Sequence, residues 1–220
     1  MPLLETVIRP LVEKERRLLN RGLARRQRRL AKLRRRVFVT GLVLFVGLSG
    51  FIMIAAFLDK KGPSWYVSFV IGLGIAVPVS LWSYLSLRPK LVANVCQFES
   101  ALRRNEAREI RIQSEAMVEF EEEEDEGACY AFQLNNPWIV FVSGQDFYPS
   151  ARFPNTDFSL VSIYGEHEVL VESFVEKHGN KLKPVRMISS EQKSKMKIPS
   201  HLQTIQGDLS HIEHLLASAG

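Results

Sequence analysis

Two stretches of this chain, Val37 to Leu58 (22 residues) and Ser64 to Leu87 (24 residues), contain no Asp, Glu, Lys, Arg or His. Each exceeds the roughly 20 residues that a helix needs to cross about 30 Å of hydrocarbon. They predict two transmembrane helices, 37–58 and 64–87, joined by a short non-cytoplasmic turn at 59–63 whose Gly62 and Pro63 suit a tight reversal. The fold class expected is a membrane α-helical hairpin with a small antiparallel all-β cytoplasmic domain, a barrel or sandwich, and flanking amphipathic helices.

Charge orients the hairpin. Residues 1–58 carry 13 Lys/Arg against 3 Asp/Glu, whereas residues 88–220 carry 14 against 20. Twelve of the thirteen N-terminal bases lie between Lys14 and Arg36, directly before the first span, and Arg88 and Lys90 follow the second. Basic flanks stay in the cytoplasm, so an integral membrane protein with both termini on the cytoplasmic side is expected, in the inner or plasma membrane if the cell is bacterial. The first apolar run begins too late and runs too long for a cleaved signal peptide, which makes it an uncleaved anchor. Trp65, Tyr66, Trp82 and Tyr84 lie near the ends of the second span, where amphipathic rings favour headgroup level. Charged groups that proton relays, ion-coupled carriers and voltage sensors require are missing from both spans, which argues against transport by this chain alone.

Gly72, Ala76 and Ser80 recur every four residues and form a helix-packing stripe. Residues 1–36 are expected as a basic amphipathic helix. From Val12 to the first residue of the span, Val12, Leu19, Leu23, Leu30, Leu33 and Val37 trace a heptad seam interrupted by Arg16 and Arg26. Arg25, Arg26, Arg28, Arg29, Arg34, Arg35 and Arg36 are assigned to lipid headgroups. Nucleic acid is not an expected partner, because the arm lacks interleaved aromatics. After the second span, Leu91, Val95, Phe98 and Leu102 continue an apolar stripe through a helical stalk at 88–106.

From residue 107 the period changes towards two. Strands are expected near Glu109–Gln113, Met117–Glu122, Ala128–Leu134, Trp138–Ser143, Phe158–Tyr164, Glu168–Val175 and Leu182–Ile188, giving a β domain at 107–189. Trp138 to Val142 reads as a strand covered on both faces, and 128–134 as a half-buried one. A polar tail at 190–220 ends in a short helix opened by Ser210 and Glu213. The layout resembles that of bacterial membrane proteins that join a helical hairpin to a small pleckstrin-homology-like module.

Two surfaces are candidates for recognition. The segment Ser143 to Asn155 carries Phe147, Tyr148, Arg152 and Phe153 together with two prolines, and offers contact area for a partner or folds back to cover one end of the β domain. The acidic run Glu121, Glu122, Glu123, Glu124, Asp125, Glu126 is expected at a hairpin tip, where it stays solvated or docks on a basic surface. His211 and His214 are one helical turn apart, yet no third ligand stands at metal spacing, so no metal and no cofactor is expected. Cys129 reads as a structural thiol. No phosphate loop, nucleophile elbow, kinase signature or zinc-protease motif occurs, so no catalytic residue is assigned. The expected function is a non-enzymatic membrane-anchored accessory or scaffold protein, with membrane lipids and a protein partner or a second copy as its contacts. The alternative is lipid or small-ligand sensing at the membrane surface.

Overall fold

The computed structural model describes residues 4–58, 65–134 and 137–217. The expected turn at 59–63 lies outside them. In chain order the elements are β1 (Thr6–Pro10), α1 (Glu13–Leu58), α2 (Trp65–Arg104), β2 (Glu106–Gln113), β3 (Met117–Phe120), β4 (Ala128–Gln133) and β5 (Trp138–Gly144). There follow β6 (Asp157–Tyr164), β7 (Leu170–Lys177), β8 (Arg186–Ile188), α3 (Ser190–Lys193), β9 (Thr204–Gln206) and α4 (Ile212–Ala217). The chain divides into a helical unit, residues 11–105 with 164–171, and a β unit made of the remainder.

In the helical unit, α1 and α2 are each long and apolar enough over part of their length to cross a membrane. At 46 and 40 residues they extend about 69 Å and 60 Å, so both continue well past their apolar segments. Glu13 and Glu15 lie in the first turn of α1, where carboxylates favour a helix start, and Glu15 accepts a hydrogen bond from the Val12 N–H at 2.8 Å. The apolar seam of the two helices buries Leu19, Leu33, Val95, Phe98 and Ala101. Small residues bring the backbones close: Gly41 lies against Ser80, and Gly72 against Ser49 and Phe45. Phe45 and Phe69 meet edge to face at 5.1 Å. The outward side chains of the apolar segments are exposed, Phe38 and Phe51 at 71% and Trp82 at 73%.

The β unit contains two open sheets, ordered β1-β2-β6-β7 and β8-β3-β4-β5-β9. Of the two forms expected, a barrel or a sandwich, the barrel is overturned, because the strands form two separate sheets. The expectation of purely antiparallel pairing also fails at one place, because β8 runs parallel to β3. The reason lies in the connection: β7 belongs to the first sheet, so the chain crosses to the second before β8, and no hairpin dictates its direction.

Residues 6–10 are a strand and not the start of the basic helix. Val7 and Ile8 are β-branched, and Pro10 tolerates an edge position because no ladder partner needs its missing N–H. β1 pairs antiparallel with β2, Arg9 opposite Ala107, so the whole of α1 and α2 is inserted between two adjacent strands.

Two apolar clusters fill the β unit. One gathers Ile112, Met117, Tyr130, Phe132, Val142 and Phe158; the other gathers Phe120, Cys129, Ala131, Ile139, Phe141 and Ile188 with Leu209, Ile212 and Leu216. β4 divides its side chains between the two, so it is buried on both faces and not on one. The cause is the C-terminal segment, expected as a polar tail, which adds β9 to the edge of β5 and lays α4 on the second cluster. The β unit thus draws on residues beyond 107–189 at both ends.

Candidate functional site

The segment 143–155 begins with Gly144 at φ 132° and a single 3-10 turn, Gln145–Phe147. Phe147 and Phe153 turn inward. They are 9% and 2% exposed and belong to the first cluster, where Phe153 meets Tyr130 at 5.7 Å and Phe158 at 5.3 Å, both edge to face. The expectation that both are available to a partner is corrected: they are core residues, because burying a benzyl ring contributes about 1.5–3 kcal/mol that an exposed ring forgoes. Tyr148 and Arg152 remain at the surface; Tyr148 is 42% exposed, and Arg152 donates to the Lys177 carbonyl at 3.4 Å.

Tyr148 joins the segment to the acidic run. Its O–H donates to Glu122 Oε1 at 2.6 Å, and the same oxygen accepts the Gly127 N–H at 2.9 Å. The carboxylate beside it pushes the phenol up to about 12. Glu124 and Asp125 turn the chain at positive φ, 48° and 61°, and Gly127 at φ 89° packs directly on the Gly144 backbone. Glu121 accepts from the Ser190 N–H at 2.9 Å, at the start of α3. Glu126 accepts from the Glu123 N–H at 3.1 Å and pairs with Lys193, whose Nζ also donates to the Glu121 carbonyl at 3.4 Å.

Lys193 is the residue that sequence reasoning missed. It is 5% exposed although charged, and burial lowers its pKa. The signal was present: Ser189 and Gln192 form a reciprocal capping box that places α3, and with it Lys193, at this point. The acidic run is therefore a ridge of fixed geometry, with Glu122, Glu121 and Glu126 tied to protein groups and Glu123, Glu124 and Asp125 exposed to solvent.

On the outer face of the first sheet, Arg9 pairs with Glu109 at 2.5 Å, and Arg111 grips Asp157 through two bonds of 2.9 and 2.5 Å. These guanidiniums hold both carboxyls below their usual range. His178 Nε2 lies 3.2 Å from the buried Ser159 hydroxyl. His201 accepts the Ser143 N–H at 3.1 Å, and burial lowers its pKa. Cys129 is buried, and its thiol is pushed up to about 12, which keeps it protonated and unreactive. Among the described residues no three His, Cys, Asp or Glu side chains converge as metal ligands.

In the helical unit, Arg25, Arg28, Arg29, Arg34, Arg35 and Arg36 are exposed along α1. Arg26 is not presented outward like them. Its guanidinium lies 3.7 Å above the Phe98 ring centroid, beside Gly22, so it packs on α2 as a cation on an aromatic face and is not placed at a headgroup. Ala76 is buried between Gly72 and Ser80, and all three face α1 or its bordering grooves. Where the small residues draw the helices together, two grooves open beside the contact. The larger, about 760 Å³, has Arg34 and Tyr84 among apolar walls; the smaller, about 340 Å³, is lined in part by Arg29 and Arg36. Compared with protein-family models, with curated proteins and with solved structures, the chain matches none.

Proposed function

We propose that this chain is a membrane-anchored accessory protein without catalytic activity, which presents the acidic ridge of its β unit to a protein partner. In this reading α1 and α2 cross the bilayer as a hairpin with both chain ends in the cytoplasm. The apolar segments support insertion by the exposure of Phe38, Phe51 and Trp82, side chains that a bilayer would cover. The arginines that precede the first apolar run support the orientation.

The observation that carries the partner reading is the ridge itself. A disordered acidic run would pay for its ordering on binding, whereas here Tyr148, Lys193 and the Ser190 and Gly127 amides already hold the backbone and half of the carboxylates in place. The exposed Glu123, Glu124 and Asp125 then form a preset negative field suited to a basic protein surface.

The test is extraction of the intact protein from its native membrane in mild detergent, followed by sizing and identification of every chain present in stoichiometric amount. The expected result is a defined heteromer that is lost when Glu123, Glu124 and Asp125 are changed together to Lys while the β unit stays folded. A monomer or clean homo-oligomer, or a heteromer indifferent to charge reversal, refutes the partner reading. Release of the protein by alkaline carbonate refutes the anchor.

A further inference from the structure

The larger groove of the helical unit has a shape and polarity that the accessory role does not use. It runs from Arg34 to Phe45 on α1, alongside Phe69 to Tyr84 on α2. Its walls are Phe38, Leu42, Phe45, Phe69, Leu73 and Leu81; Ser80 lines it beside Gly41, and its one charged lining group, Arg34, stands at one end with Tyr84. Tyr84 in turn lies 5.9 Å from the Arg88 guanidinium, which adds a second cation at that end.

We propose that this groove seats one anionic phospholipid, with its phosphodiester on Arg34 and an acyl chain lying between α1 and α2. The inference rests on the membrane reading above. Three features favour this occupant. A guanidinium matches a phosphate with two parallel hydrogen bonds, and at the edge of the hydrocarbon little water competes for it. From Arg34 to Phe45 is eleven residues, about 17 Å of helix. That is close to half of the roughly 30 Å hydrocarbon thickness, so the groove reaches from headgroup level to about the midplane, the depth of a single leaflet. A second copy of the chain fits less well, since a parallel neighbour brings its own Arg34, Arg35 and Arg36 to the same depth as these. Basic pockets between membrane helices on the cytoplasmic side are established seats for anionic headgroups in general.

The test uses the full-length protein purified in mild non-ionic detergent. Dioleoyl phosphatidylglycerol and dioleoyl phosphatidylcholine are titrated in turn, and bound lipid is counted by native mass spectrometry. Both lipids carry the phosphodiester, but phosphatidylcholine also brings a quaternary ammonium beside Arg34 and Arg88, so phosphatidylglycerol is expected to be retained about tenfold more strongly. Arg34→Gln removes the preference, and Leu73→Trp, which fills the apolar wall, weakens binding of both lipids with Arg34 intact. Arg35→Gln makes the same charge change one residue away and lines neither groove, so it keeps the preference. Excess inorganic phosphate leaves binding unchanged, because it lacks the chain.

Equal retention of the two lipids overturns the proposal. So does equal loss in the two arginine variants, which assigns binding to the general field of the arm, or displacement by inorganic phosphate, which assigns it to a headgroup site alone. Dimerisation that excludes lipid and is broken by Leu73→Trp overturns it in favour of a second copy. Carbonate extraction of the same membranes reports separately on the membrane reading, so the two failures are distinguishable.

Discussion

The ion pair of Lys193 and Glu126 is lopsided, and its two halves should not be equally expensive to remove. The side chain of Lys193 is 6% exposed and that of Glu126 is 44% exposed. Lys193→Met takes away the buried ammonium, keeps the unbranched stem in its slot, and leaves a carboxylate that water can reach. Its cost should be below about 1 kcal/mol, since replacing a buried charge by an apolar isostere is close to neutral. Glu126→Gln removes the paired carboxylate and leaves the buried ammonium the new amide oxygen, the Glu121 carbonyl and the fields of Glu122 and Glu123, and should cost about 1–2 kcal/mol. The double variant should resemble Lys193→Met, because the amide introduced at position 126 then has no cation beside it. The assay is urea unfolding of the full chain in detergent, followed by Trp138 fluorescence in a Trp65→Phe, Trp82→Phe background that leaves a single reporter in β5. The midpoint should move while the slope stays constant. If Lys193→Met proves costlier than Glu126→Gln, the burial asymmetry does not govern the pair and the argument fails.

Three further outcomes follow from the described geometry. Glu109 and Asp157 have folded pKa values depressed by Arg9 and Arg111, so their stabilisation is complete above the ordinary carboxylate range and is lost as pH falls through the depressed values; Arg111→Gln should flatten the acid limb of stability against pH, and an unchanged limb would contradict this. Gly127→Ala should cost at least about 1–2 kcal/mol, because the position holds φ at 89° and a methyl there meets the Gly144 backbone; an equilibrium melt of the same Trp138 reporter checks it. Gly41→Val should destabilise the helical pair by about 1–3 kcal/mol through overlap with Ser80, whereas Gly47→Val, which meets open space, should leave the thermal midpoint in detergent within experimental error.

Much of the architecture is legible because periodicity reports burial directly. The described parts of the uncharged runs, 37–58 and 65–87, lie within α1 and α2, and the alternation from residue 107 lies in β2 to β7. β1 is harder to read: five residues, three of them β-branched, look like a linker until their partner, about a hundred positions later, is known. β4 misleads for a related reason, since Cys129 and Ala131 are small enough to pass for a solvent face and only the distant Leu209, Ile212 and Leu216 show that it is covered. Phe147 and Phe153 illustrate the limit at the surface: an aromatic loop residue has the same sequence signature whether it caps a core or waits for a partner. Tyr148 and the acidic run are recognisable separately, but the 2.6 Å bond joining them depends on Gly127 packing against Gly144, which no local pattern encodes.

The insertion of α1 and α2 between β1 and β2 sets an order on biosynthesis. β1 leaves the ribosome first and then waits, unpaired, while the next 95 residues, 11–105, are made before β2 follows. In the proposed topology β1 and β2 share a compartment only if both spans have inserted and the chain has returned. A chain that crosses once strands β2 and everything after it on the far side of the membrane, and the first sheet loses its edge strand. In that topology, completion of the first sheet therefore depends on both spans having inserted.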